Sequence, residues 1–80
     1  MYYVYIVECA DGSLYAGITT DLKRRIAEHN DSKLGAKYTS SRRPVKMVYS
    51  ANFKNRAKAS AEEFRIKKLT KSQKLELIVE

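Results

Sequence analysis

Residues 2–9, Tyr2-Tyr3-Val4-Tyr5-Ile6-Val7-Glu8-Cys9, are β-branched and aromatic almost without interruption, and the run Leu14-Tyr15-Ala16-Gly17-Ile18-Thr19 repeats that composition after Asp11-Gly12. Such residues suit a pleated, half-buried surface and Asp-Gly marks a chain reversal, so the two runs predict a β-hairpin. Two loops fit Asp-Gly. A two-residue primed turn puts Tyr5 and Tyr15 on opposite faces of the sheet. A three-residue loop, Ala10-Asp11-Gly12 with Gly12 in the left-handed region, sets Tyr5 opposite Gly17 and Tyr15 opposite Val7 on one shared face.

Beyond the hairpin the apolar spacing becomes helical. Thr19-Thr20-Asp21 offers N-caps, and Leu22 to Asn30 predicts a short helix. At ~100° per residue, Leu22, Arg25, Ile26 and His29 fall within a sector of about 100°, with Arg24 on the opposite side. Arg25 therefore borders the apolar stripe, where a guanidinium is costly to desolvate unless an anionic group meets it. Residues 35–43 are ambiguous, with room for a short helical turn through Lys37-Tyr38-Thr39, and Pro44 disfavours helix at Arg43. Val45 to Ala51 predicts a third strand. Asn55 to Leu69 predicts the longest helix, with Ala57, Ala61 and Phe64 on one face and Ala59 and Ile66 on another, and Thr70 or Ser72 is placed to cap a last turn carrying Leu75, Leu77 and Ile78. The order β-β-α-β-α-α predicts an α+β fold built on a three-stranded, mostly antiparallel sheet flanked by helices. Val4, Ile6, Leu14 and Ile18 make one sheet face apolar and Tyr3, Tyr5 and Val7 the other, so helices are expected to cover part of each.

Eighty residues suffice for a single domain, residues 1–80, and a chain of this size buries only about 60% of its unfolded surface, which excludes a large closed cavity. No apolar run approaches the ~18 residues of a membrane span, and no basic flank precedes an apolar stretch at Met1. The expectation is a soluble, cytoplasmic protein without membrane association. One cysteine, Cys9, forbids an internal disulfide, and one cysteine with one histidine excludes the common zinc patterns. The net charge of +7 is unevenly placed: no Lys or Arg precedes Lys23, and the stretch between Asp31 and Glu62 carries eight basic residues and no acid. Such a field points to a polyanion, nucleic acid ahead of an anionic membrane, because no segment pairs a basic face with a Trp/Phe/Leu face.

Four polar features then carry the candidate chemistry: Tyr5 and Tyr15 in mid-strand, Arg25 and His29 four residues apart on the inner side of a helix, and the pair Glu62-Glu63 within a basic stretch. Each has an ordinary structural reading as a core aromatic, an internal ion pair or an i,i+4 helix partner. In order and spacing, however, Tyr3-Val4-Tyr5, Tyr15-Ala16-Gly17, Thr19, Leu22, Arg25 and His29 resemble the paired motifs of the GIY-YIG nucleases. The run Glu63-Phe64-Arg65-Ile66-Lys67-Lys68-Leu69 with Lys74, and the segments Gly35-Ala36-Lys37-Tyr38-Thr39 and Arg42-Arg43-Pro44, resemble that family's small single-domain bacterial branch. The resemblance covers residues 2–78; Tyr3 and Ala16 stand where the family's name has glycine and isoleucine.

The resemblance implies a metal-dependent endonuclease that hydrolyses DNA phosphodiester bonds, structure-specific in repair or recombination, with a non-catalytic nucleic-acid-binding module as the alternative. It implies Tyr5 as general base or water-orienting group, for which a nearby cation must lower a phenol pKa of ~10. Tyr15 would hold the water or phosphate, Arg25 would stabilise transition-state charge with support from His29, and Glu63 would hold one Mg²⁺ or Mn²⁺. Gly17, Lys37, Tyr38, Arg42, Arg43 and Lys67 would contact the nucleic acid. Target choice would fall to the domain itself, a protein partner or self-association. A site shared by Tyr5 and Tyr15 needs both on one face, so the three-residue loop is the expected one.

Overall fold

The computed structural model describes residues 1–31 and 37–79, with Lys37 in its backbone only; Gly35 and Ala36 of the ambiguous segment lie outside the described residues. The elements are β1 (Tyr2–Glu8), β2 (Leu14–Thr19), α1 (Leu22–Asp31), α2 (Lys37–Ser40), β3 (Lys46–Phe53), α3 (Arg56–Lys67) and α4 (Lys71–Val79). The short helix α2 is the turn that the sequence left open. The sheet has the order β2-β1-β3 and is antiparallel throughout.

The hairpin adopts the three-residue loop. Tyr5 pairs with Gly17 and Val7 with Tyr15. Gly12 takes φ 84°, its N–H donates to the Cys9 carbonyl at 2.9 Å, and the Cys9 N–H donates to Ser13 at 2.8 Å. Asp11 fixes the turn by accepting from both the backbone N–H and the hydroxyl of Ser13. Gly12 is required here because a left-handed residue must close the loop.

β1 is apolar on both faces and accordingly occupies the centre, with Val4, Tyr5, Ile6 and Val7 all buried. On one face Val4, Ile6 and Ala16 pack against Ala59 and Ile66 of α3 and Leu77 and Ile78 of α4. On the other, Tyr5, Val7, Cys9 and Val45 pack with Leu22 and Ile26 of α1. α1, α3 and α4 each start at a side-chain cap: Asp21 accepts from the Arg24 N–H, Asn55 from the Lys58 N–H, and Thr70 exchanges hydrogen bonds with Gln73.

Two expectations need correction. Val45 lies outside β3 because the Asn30 amide takes both its N–H (2.7 Å) and its C=O (3.0 Å), while the strand runs on to Phe53, which pairs with Tyr2. A register shift opposite Ile6/Val7 leaves Val48 as an extra residue, so Val48 and Tyr49 both face the α3 side. Of the two apolar faces of α3, only the one bearing Ala59 and Ile66 is buried. Phe64 is 61% exposed, with the Lys68 ammonium 4.2 Å from its ring centroid. No helix among the described residues is long and apolar enough to cross a membrane.

Candidate active site

The hairpin register and the inner face of α1 bring Tyr5, Arg25 and His29 together. The Tyr5 hydroxyl lies 2.8 Å from His29 Nε2 and accepts from Arg25 Nε at 3.3 Å. On its far side the imidazole meets the Thr39 hydroxyl, Nδ1 to Oγ1 at 2.8 Å. With Arg25 donating to the phenol oxygen, the assignment that gives every proton an acceptor directs the phenol proton at Nε2, with the imidazole carrying its own proton on Nδ1 and donating to Thr39. Tyr5 and His29 are 2% and 0% exposed, so this chain of hydrogen bonds is interior, with Arg25 as its link to the surface.

Tyr15 completes the aromatic wall. Its ring meets the His29 edge at 5.5 Å and stacks on Tyr38 at 5.8 Å. Tyr38, though 41% exposed, also carries the Arg42 guanidinium 4.1 Å from its centroid, so much of its π surface is already engaged. Arg42 further binds the Tyr38 carbonyl and the Asp11 carboxylate, and Arg43 donates from Nε to the His29 carbonyl at 2.6 Å. Both arginines thus tie the loop before β3 to the hairpin and to α1. Lys37 lies on α2, with its side chain outside the described residues.

Gly17 sits directly beneath Tyr5. A Cβ at this position would lie 2.6 Å from the Tyr5 hydroxyl and 2.8 Å from Cζ, so the missing side chain is the space the phenol occupies. Glu63 is placed on α3, and its carboxylate is 3.0 Å from the Lys67 ammonium. Of the adjacent glutamates, Glu63 is the one whose charge bears on Tyr5, while Glu62 is held by two hydrogen bonds to Arg65.

Electrostatics qualify the role expected of Tyr5. Burial pushes its pKa above 10.0, and the hydrogen bond and charge of Arg25 offset only part of this. The cation is in place, but the net lowering anticipated from it is not. Burial, aided by the Arg25 and Arg43 charges and opposed by Glu28, holds His29 below its ordinary 6.5, leaving a neutral imidazole able to accept the phenol proton. Two participants escaped the sequence reading. Thr39 orients the imidazole; nothing local signals it, since the contact depends on how α2 docks. Glu28 binds Arg25 at 2.8 Å and Arg24 at 3.4 Å, and its spacing of three and four residues from them is the signal that could have found it.

The low imidazole pKa has a consequence for stability. Above the ordinary imidazole pKa both folded and unfolded states are neutral at His29. As pH falls through that range the unfolded chain takes up a proton that the folded protein resists, so stability present at pH 7 is lost toward pH 5. Urea unfolding at these pH values is expected to show a shallower decline for His29→Gln than for wild type. Parallel declines would mean that His29 is not held neutral.

Whether the residues fit a divalent ion is answered by donor chemistry. Glu63 presents a hard carboxylate already facing a cationic group, but among the described residues no group of three or more His, Cys, Asp or Glu could enclose a metal. One carboxylate suits an ion that keeps most of its water and completes its coordination on substrate oxygens, as Mg²⁺ does.

Residues 1–76 match the GIY-YIG catalytic domain. A UPF0213 protein of Desulfotalea psychrophila is 53% identical over 77 residues, covering 96% of this chain and 70% of its own length. A UPF0213 protein of Halobacterium salinarum is 47% identical over 74 residues, covering 92% and 95% respectively. The solution NMR structure of a UPF0213 protein from Bacillus halodurans superposes with a TM-score of 0.63 at 44% identity, over 99% of this chain and 84% of that one.

Proposed function

Since the chain belongs to the GIY-YIG family, we propose that it is a metal-dependent endonuclease acting on DNA, with Tyr5, Arg25, His29 and Tyr15 as its reacting core. The observation that carries this reading is the continuous hydrogen-bonded path from Arg25 through Tyr5 and His29 to Thr39. A buried phenol with a raised pKa is a poor base by itself. Coupled to the His29 imidazole it can take a proton from the attacking water while giving its own to Nε2, so no free tyrosinate has to form; the negative charge of the bound phosphate would offset the burial and the arginine charges that keep His29 neutral in the free protein. Arg25, at the surface end of the path, is positioned to stabilise the charge that develops on the phosphate, and Tyr15 borders the same wall and would orient the water or the phosphate. Glu63 would hold a hydrated Mg²⁺ or Mn²⁺ ion, whose chemistry there is to neutralise charge on the phosphate and leaving oxygen. Lys67, released from Glu63 as the ion binds, would join Lys37 and the rim of Tyr38 in contacting the backbone. Gly17, Arg42 and Arg43 would contribute by shaping this surface. Branched or flapped DNA in repair or recombination is the substrate class proposed, and the setting proposed is the cytoplasm.

A second reading, a nucleic-acid-binding module without turnover, is favoured by one observation, the raised Tyr5 pKa. Cleavage assays on branched, flapped and single-stranded DNA with Mg²⁺ or Mn²⁺ separate the two. The enzyme is expected to lose activity about 100-fold or more in Glu63→Ala and on chelation, while the variant's DNA affinity stays level or rises because a negative charge near phosphate is gone. A folded wild type that binds every substrate and cuts none would establish the binding module instead.

A further inference from the structure

Beside Arg25, and outside the hydrogen-bonded path through Tyr5, lies a cavity of about 270 Å³. At ~30 Å³ per water it has room for about nine waters, enough for a phosphate with part of its sugar. Arg24 and Arg25 of α1 and Arg56 at the start of α3 line it together with one acidic residue, Glu28, so the lining residues carry a net +2. Thr19 and Thr20 also line it, the Thr19 hydroxyl already donating to the Asp21 carbonyl, and Tyr2 and Ile18 close the remaining side with apolar surface.

The arginines are held in distinct ways. Arg25 turns one edge to Tyr5 and another to Glu28. Arg24, expected from its helical position to point into water, is indeed more than half exposed but curls back to Glu28 at 3.4 Å and to the Thr19 hydroxyl at 3.4 Å. Both contacts are long for charge-assisted bonds, and an entering anion can replace them at little loss. Arg56 is exposed and lines the same space from the opposite helix. The cavity is thus lined by cationic residues from two sides, has an apolar wall, and shares one arginine with the catalytic group.

We propose that this cavity is a second phosphate subsite, in which Arg24 and Arg56 hold the phosphodiester next to the one engaged by Arg25, with the intervening sugar against Tyr2 and Ile18. This rests on the nuclease reading for what Arg25 engages and adds a positional requirement: the substrate strand must present two successive phosphates to the gap between α1 and α3. Glu28 pairs with both neighbours on α1, Arg25 at 2.8 Å and Arg24 at 3.4 Å, and so links the guanidinium that meets Tyr5 to the one beside it.

The test uses short oligonucleotides as probes and arginine Nε–Hε NMR signals of the full chain as readout. The trinucleotide d(TpTpT), with two internal phosphates, is expected to move the signals of Arg24, Arg25 and Arg56 along one binding curve and to bind about tenfold more tightly than d(TpT). Arg56→Gln, an exposed substitution, should erase that advantage while changing d(TpT) affinity less than about twofold. An advantage confined to d(pTpT) would keep the subsite but assign it to a terminal phosphate. Arg24 and Arg56 signals that stay still while Arg25 moves, or that move no more than Arg42 and Arg65, would overturn the proposal, as would equal weakening of both probes by Arg56→Gln. A cleavage assay run alongside separates the two readings. Absent cleavage with the NMR result intact removes the nuclease and leaves the phosphate site, and the converse removes the subsite alone.

Discussion

Arg25→Lys is expected to lower DNA cleavage by about 100- to 1,000-fold while leaving DNA affinity within about threefold of wild type. The substitution keeps the charge, and charge alone is what backbone attraction needs. It removes the fork. Arg25 meets the Tyr5 oxygen through Nε and Glu28 through Nη1 at the same time, and one ammonium on a flexible stem cannot hold both geometries and also face a phosphate. Two effects then combine: the developing charge loses a fixed donor, and Tyr5 loses the hydrogen bond that most offsets its burial, so its pKa rises further. Single-turnover cleavage across pH gives the readout: because the relay draws on neutral His29, and the substitution keeps the positive charge beside it, the loss should be of similar size at every pH. A lysine variant that cleaves at the wild-type rate would show that only a positive charge is needed, and the path through Tyr5 would lose its role.

That Arg25, and not its neighbour, meets Tyr5 was legible from helical geometry, since only Arg25 shares a sector with Leu22, Ile26 and His29. The hairpin register was legible in a different way. Asp11-Gly12 left two loops open, and the requirement that Tyr5 and Tyr15 share a face selected the one found, with Tyr5 opposite Gly17. Elements set by local pattern therefore agree, and departures arise where a distant group intervenes. Val45 reads as strand by composition, yet the Asn30 amide satisfies its backbone before the ladder can. Phe64 reads as core, but α3 has two apolar faces and one sheet to cover, so Phe64 is left outside. Thr39 and the raised Tyr5 pKa depend on the docking of α2 and α1 over the sheet, which no local spacing encodes. The adjacent glutamates illustrate the same limit, for periodicity does not separate Glu62 from Glu63. The fold gives each a partner on its own helix, Glu62 with Arg65 and Glu63 with Lys67, so the choice of Glu63 rests on the family's register.

Gly17→Ala is expected to destabilise the protein by about 1–3 kcal/mol and to reduce cleavage about 100-fold, from a single methyl group placed on a strand. The cost does not come from backbone conformation, because β2 is extended at this point and alanine adopts it freely. It comes from the Tyr5 phenol, whose oxygen and Cζ would stand 2.6 and 2.8 Å from the new carbon, against an optimum of ~3.5–4.0 Å. Relief requires the end of the ring to move by nearly 1 Å. The ring is 2% exposed and its oxygen is held 2.8 Å from His29 and 3.3 Å from Arg25, so a shift of that size breaks at least one of the bonds on which the proton path depends. Stability and activity are therefore coupled at this position, and a double-mutant cycle exposes the coupling. In a Tyr5→Phe background the closest contact is gone and those with Cζ and Cε2 remain, so Gly17→Ala should cost less in urea unfolding than it does in wild type. Equal costs in the two backgrounds would mean that β2 bends away from β1 to admit the methyl, and the tyrosine would not be the group that requires glycine here.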